Sequence, residues 1–170
     1  MTVYDITSGR PRPAFDTARL RQVFGAFPSG VTAVAAIVDD VPHGLAASSF
    51  TSVSLDPALV SVCVAQTSTT WPVLERATKL GVSVLSADQE HETTVLSTKG
   101  IDRFAQLDWQ QTPEGGVLIE RASAWFETSV HQVVPAGDHF IVLLKVHDLD
   151  IDEAAHPLIF HGSTFRRLAV

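Results

Sequence analysis

The chain has 170 residues, 45% of them hydrophobic and only 18% charged, and its 19 acidic residues against 12 lysines and arginines give a formal net charge of -7. An acidic balance (pI about 5.4) without a basic stripe argues against a nucleic-acid surface, and the single cysteine excludes an internal disulfide. The length suits one domain, and a mean hydropathy of +0.18 points to apolar surface covered by another subunit.

Residues 1–16 read as a polar, proline-containing arm and residues 17–170 as one globular domain. The opening MTVYDITSGRPRP has no apolar core of the kind a secretory signal needs, and no window suits a membrane span, so a cytoplasmic protein without a membrane partner is expected. Leu20, Val23, Phe24 and Phe27 recur at helical spacing behind Asp16 or Thr17 as a cap, and Pro28-Ser29-Gly30 ends the run. VTAVAAIV (31–38) reads as a strand, Asp39-Asp40 as a turn, and Val41 to Phe50 as the second strand of a hairpin. LVSVCVA (59–65) is β-branched and unbroken, which predicts a strand buried on both faces with Cys63 as an inert, buried thiol.

TSTTWPVLERA (67–77) offers hydroxyl caps and Pro72 in a first turn, so a short helix to about Arg76 is expected. LGVSVLS (80–86) returns to strand, and DQEHETTVLST (88–98) predicts a helix with an acidic first turn. The turn-rich KGIDRFAQLDWQQTPEGG (99–116) reads as a functional loop. SAWFETSVHQVV and GDHFIVLLKVHDLDI read as two long antiparallel strands about a Pro135-Ala136-Gly137 turn, followed by short strands in PLIFHG and TFRRLAV. Many strands with few short helices predict a mainly antiparallel β-barrel with peripheral helices.

HGLAASSFTSVS (43–54) is unusual within this pattern, because eight of its twelve residues are Gly, Ala, Ser or Thr. Small side chains weaken a strand, so such a run marks a place where something approaches the backbone closely. Neither G-x-G-x-x-G nor G-K-[ST] occurs, so a nucleotide would need another cradle. The hydroxyls of Ser68, Thr69 and Thr70 at a helix start could meet a phosphate or simply cap the helix. Lys99 and Arg103 form a closely spaced cationic pair that could neutralise a phosphate or be merely solvated. His139, in the Gly-Asp-His turn, could reach a ligand or stand exposed on a hairpin. No Cys/His spacing suits a metal, and no nucleophile elbow is present.

In order, GAFPSGVTAVAA, HGLAASSFTSVSLDPALVSV, STTWPVL, DRF, PAGDHFIVLLKV and PLIFHGSTFRRL resemble the flavin reductases of the FMN-binding split-barrel family over about residues 17–168. The family resemblance implies an antiparallel Greek-key split β-barrel that uses NADH (or NADPH) to reduce FMN (or FAD), a homodimer, and a partner flavin-dependent monooxygenase that receives the reduced flavin. It places the isoalloxazine against the backbone of Ala46, Ala47, Ser48, Ser49 and Phe50, with Ser48, Ser49 and Thr51 lining ring and ribityl chain. It assigns the phosphate to Ser68 and Thr69 with Lys99 and Arg103 nearby and Phe104 beside them, and gives His139 to the flavin and the incoming nicotinamide. The chain departs from the family pattern at Ala46, where many members carry Thr, and at Ser48, where Asn is frequent. Short loops favour FMN over FAD. The competing readings are a non-catalytic flavin-binding module, an oxidase of the pyridoxamine-phosphate type, and a structural partner of an oxygenase.

Overall fold

The computed structural model describes residues 16–168. The expected N-terminal arm therefore lies outside the described residues, apart from Asp16. The Asp16 carboxylate accepts the Arg19 N–H at 2.6 Å and caps α1 (Thr17–Phe24), which stops at Gly25, three residues before Pro28. None of its residues is buried, and Val23, Phe24 and Phe27 are all exposed. The apolar stripe seen in the sequence is real, but it does not face this chain's own core.

A seven-stranded sheet carries the fold. Its strands are β2 (Thr32–Val38), β3 (Val41–Ala47), β4 (Thr51–Leu55), β5 (Ala58–Ala65), β6 (Leu80–Val84), β9 (Ala124–Ala136) and β10 (His139–Ile151). They lie in the order β3-β2-β6-β9-β10-β5-β4, and every neighbouring pair is antiparallel. Asp39 and Asp40 both adopt positive φ in the β2–β3 turn, a conformation that Asp tolerates well. The β9–β10 turn is tighter than the sequence suggested: β9 continues through Ala136, and only Gly137 (φ 64°) and Asp138 make the reversal.

The sheet is antiparallel, as expected of a barrel, but it is open: β3 and β4 are its two edges and are not hydrogen-bonded to each other. Side chains from strands across its whole width, including Val34, Val62, Val82 and Val142, nevertheless meet in one core cluster with Trp71 and Leu74 of the short helix α2 (Trp71–Leu74). The sheet is thus curled around that core. Ala33 and Ala35 point the opposite way, into a second cluster with Val95 and Leu96 of α3 (Glu90–Ser97) and with Leu85 and Phe104. Two small sheets complete the structure. One joins β1 (Ser29–Gly30) to the hairpin β11 (Ile159–His161) and β12 (Thr164–Arg166), and the other pairs β7 (Trp109–Gln111) with β8 (Val117–Ile119).

Three expectations are corrected here. Coverage on both faces falls to β2, which feeds both clusters, and to β6, buried from Leu80 through Ser83, whereas β5 buries Val60, Val62 and Val64 and turns Cys63 outward. Alternation along β5 was masked by a run in which every residue is small or apolar. The segment 99–116 is not all loop, since β7 lies in it and pairs with the fully buried Val117-Leu118-Ile119. The second strand ends at Ala47 instead of Phe50.

Gly81 shows how closely β8 lies on β6. A Cβ there would collide with the Val117 carbonyl and lie 2.6 Å from its carbon, and backbone cannot swing aside as a side chain can. Gly81→Ala is expected to destabilise the fold by about 3 kcal/mol or more. Gly30→Ala, where an added methyl meets open space, is the control. Equal melting temperatures for the two variants would contradict this packing.

Candidate active site

The small-residue run lies where the sheet fails to close. β3 and β4 are opposite edges of the sheet yet consecutive in sequence, so the three residues Ser48–Phe50 carry the chain across the open seam. An edge strand leaves alternate N–H and C=O groups without a ladder partner, and small side chains leave those groups reachable. Beside them is a cleft of about 430 Å³. It brings together Ala46, Ala47, Ser48 and Ser49 with Ser68, Thr69, Lys99, Arg103 and His139, residues drawn from sequence positions up to 93 apart.

Three residues expected at the ligand are not on the cleft wall. Phe50 stacks on Phe126 with ring centroids 5.5 Å apart, and Thr51 is exposed on β4 opposite Ser61. Phe104 is buried below β3, edge-on to Trp109, and its ring occupies the space that a side chain at position 44 would need. Gly44 is therefore bare for packing, whereas Ala46–Ser49 are bare at the cleft.

The hydroxyls differ in what remains free. Ser49 Oγ accepts the Cys63 N–H at 2.8 Å and lies 3.2 Å from the Cys63 carbonyl, to which it donates, replacing a rung that the broken strand cannot make. Ser68 Oγ accepts the Trp71 N–H at 3.1 Å, so it caps α2 and keeps its proton for another partner. Of the two roles open to the Ser68–Thr70 hydroxyls, the structure shows helix capping by Ser68, while Thr70 Oγ1 accepts from Arg103.

Arg103 is the anchored cation. Its Nε donates to the Thr98 carbonyl at 2.8 Å, and its Nη1 donates to the Gly44 carbonyl at 2.6 Å and to Thr70 Oγ1 at 3.2 Å. Nη2 has no hydrogen-bond partner among the described residues, and burial pushes the guanidinium pKa down from its ordinary value. An arginine remains charged under such a shift, so this side chain holds a fixed positive fork toward the cleft. Lys99 is exposed beside it, and neither cation has a carboxylate within salt-bridge distance among the described residues.

At the other end of the cleft, the Gly137–Asp138 turn is held from β5. Gln66 donates its N–H to the Asp138 carbonyl at 3.0 Å and its Nε2 to the Gly137 carbonyl at 3.1 Å. His139 Nδ1 lies 2.7 Å from Asp138 Oδ1, which leaves Nε2 as the ring nitrogen available to a ligand. The hydrogen bond to the imidazole, and then its charge, hold the Asp138 carboxyl below the usual carboxylate range. Sequence reasoning missed Gln66 and the positioning contact of Asp138. The adjacency of Asp138 and His139 could have revealed the latter, whereas nothing local marks a glutamine that braces a turn 71 residues away.

Cys63, expected to be buried and inert, is exposed on the cleft wall. It supplies a direct reporter. Alkylation of Cys63 by iodoacetamide should proceed in the free protein and slow at least about fivefold at saturating flavin, since a bound ligand excludes the reagent. Labelling that ignores flavin would place the flavin elsewhere.

The model of the flavin reductase-like domain matches residues 24–169, and the chain belongs to that family. It is an oxidoreductase of the flavin reductase class. A flavin reductase of Pseudomonas putida is 39% identical over 151 residues, covering 88% of this chain and 89% of that one. HsaB of Rhodococcus jostii, the reductase subunit of a flavin-dependent monooxygenase, is 34% identical over 152 residues, covering 89% and 78%. Other relatives are longer, and the chain spans 42%, 43% and 58% of their lengths. Among solved structures, the NADH:FAD oxidoreductase SgcE6 of Streptomyces globisporus, in complex with NAD and FAD fragments, superposes with a TM-score of 0.86 at 35% identity, covering 99% of this chain and 98% of that one. No helix among the described residues is long and apolar enough to cross a membrane.

Proposed function

We propose that this chain transfers a hydride from NADH to FMN or FAD and passes the reduced flavin to a flavin-dependent monooxygenase. One observation carries the reading: a bare strand edge, a fixed arginine and the Gly-Asp-His imidazole face a single cleft. These residues fit a flavin, whose polar ring edges suit unpaired backbone groups and whose phosphate suits a guanidinium with a free nitrogen. The bound nucleotides supply the redox chemistry, since no side chain in the cleft accepts a hydride.

The protein's contribution is placement. Ala46, Ala47 and Ser48 offer backbone to the ring, while Ser49 keeps their crossing fixed to β5. Ser68, Thr69, Lys99 and Arg103 receive the phosphate, and His139, steadied through Asp138 and Gln66, orients the nicotinamide. The cleft opens to solvent, which suits a flavin that must leave for a second enzyme.

The split-barrel reading is supported by a curled antiparallel sheet whose two edges flank the ligand cleft. Homodimerisation is supported by apolar side chains that this chain leaves uncovered, Phe24, Phe27 and Leu55 among them. A cytoplasmic location agrees with the use of NADH. The test is NADH oxidation by purified protein with FMN, FAD, riboflavin or no flavin. Flavin-dependent oxidation is expected; flavin binding without NADH oxidation would leave a binding module instead.

A further inference from the structure

Two cavities adjoin the flavin cleft. The larger, of about 610 Å³, meets it at Arg103 and shares Thr69 and Thr70 with it. The smaller, of about 160 Å³, lies beside the bare strand end and has Ala46, Ala47 and Ser48 in common with the flavin cleft. Its other walls come from α3, through Thr93 and Ser97, and from the β11–β12 hairpin, through Phe160 and Phe165. The two phenyl rings stand 5.5 Å apart at an interplanar angle of 57°, and each is only half-buried.

Size and chemistry together select an occupant for the smaller cavity. A space of about 150 Å³ accommodates one benzene ring. A ring bound here meets two phenylalanines, at the tilted or offset geometries that aromatic groups favour. The polar groups of α3 in the wall are hydroxyls whose protons are already committed: Thr93 Oγ1 donates to the Gln89 carbonyl at 3.1 Å, and Ser97 Oγ donates to the Thr93 carbonyl at 2.8 Å. Toward a ligand, both oxygens can therefore only accept. An apolar ring carrying a hydroxyl donor satisfies both kinds of wall. A carboxylate would meet these acceptors without a counter-charge, since no lysine or arginine lines the cavity among the described residues.

We infer that this cavity binds a small monocyclic phenol and that its occupancy strengthens flavin binding. The coupling runs through the shared wall: a ring packed against Ala46 and Ala47 braces the same strand end whose backbone faces the flavin. β3 is a sheet edge, held by β2 on one side only, so this backbone has no second strand to steady it. Only the coupling rests on the flavin reductase reading, because phenol binding itself requires no flavin. Such coupling is reciprocal, so flavin tightens phenol by the factor by which phenol tightens flavin.

Phenol and toluene, rings of similar size that differ in the hydroxyl, are titrated into the purified protein without added flavin and followed by NMR. Both should saturate. The double variant Thr93→Val, Ser97→Ala should weaken phenol about fivefold, the scale of one net hydrogen bond, and toluene by less than about twofold. Phe165→Ala, at a half-buried position, should weaken both probes about tenfold, the scale of lost apolar contacts in a pocket. Fluorescence titrations of FMN should show it bound about fivefold more tightly at saturating phenol. The inference is overturned by an absence of saturable binding, by equal effects of the double variant on the two probes, or by wild-type affinities in Phe165→Ala. It is overturned as well if phenol leaves FMN affinity unchanged or weakens it, the latter meaning that the flavin itself reaches the cavity. Loss of the parent reading looks different: no flavin of any kind would support NADH oxidation, with phenol binding intact.

Discussion

Arg103→Ala will weaken FMN binding by about 10- to 100-fold while changing riboflavin, which lacks the phosphate, by far less. The magnitude follows from removing a charge-assisted hydrogen bond, about 1.5–3 kcal/mol, with every 1.4 kcal/mol equal to a factor of ten. Riboflavin is the necessary comparison, because Arg103 also ties Thr98 and Gly44 together and its loss loosens the cleft wall for any ligand. The loss common to both flavins reports that structural part, and the excess for FMN reports the phosphate. Arg103→Lys retains the charge without the planar fork and should recover only a fraction of the affinity. Equal losses for FMN and riboflavin would remove Arg103 from phosphate binding.

His139→Ala will lower NADH-dependent turnover by about 100-fold, the penalty typical of a misplaced reactant, with the flavin dissociation constant moving less than about threefold. The physical basis is the separation of tasks within the cleft: the backbone edge and the cations hold flavin, and the imidazole stands at the far end. Asp138→Asn should give an intermediate loss, since the amide can still hydrogen-bond the ring but offers a neutral acceptor in place of the carboxylate. Because the imidazole holds Asp138 below the usual carboxylate range, the carboxylate stays ionised as pH falls through the range where a free one would protonate. Activity in mildly acid solution should therefore show no inflection from this residue. Steady-state kinetics across pH for both variants check these outcomes, and unchanged turnover in His139→Ala would exclude the imidazole from the reaction.

Much of the site was legible because its parts are local. The run of small residues, the Gly-Asp-His turn and the Lys99–Arg103 spacing each stand out in a few letters, and the structure gathers Ala46–Ser49, His139 and both cations at one cleft. Phe50, Thr51 and Phe104 were given by the family resemblance, and their side chains lie off the cleft wall, Phe50 on Phe126, Thr51 opposite Ser61 and Phe104 against Trp109, because strand alternation and the core set their direction. Cys63 illustrates the same point: an apolar run conceals which face is wet, since β-branched and small residues are compatible with either.

Short stretches of residues carried the mainly antiparallel architecture, the Asp39-Asp40 turn and a chain reversal near Gly137, because strand period and turn residues are properties of neighbours, whereas the flavin entered through the family resemblance. Long-range packing set β3 and β4 on opposite edges of the sheet, tied the crossing to Cys63 through Ser49, braced the His139 turn with Gln66 and put Arg103 between two clefts. Those facts depend on contacts between segments far apart in the chain. They arise when the whole sheet curls around one core, a balance of packing that no short stretch of residues encodes.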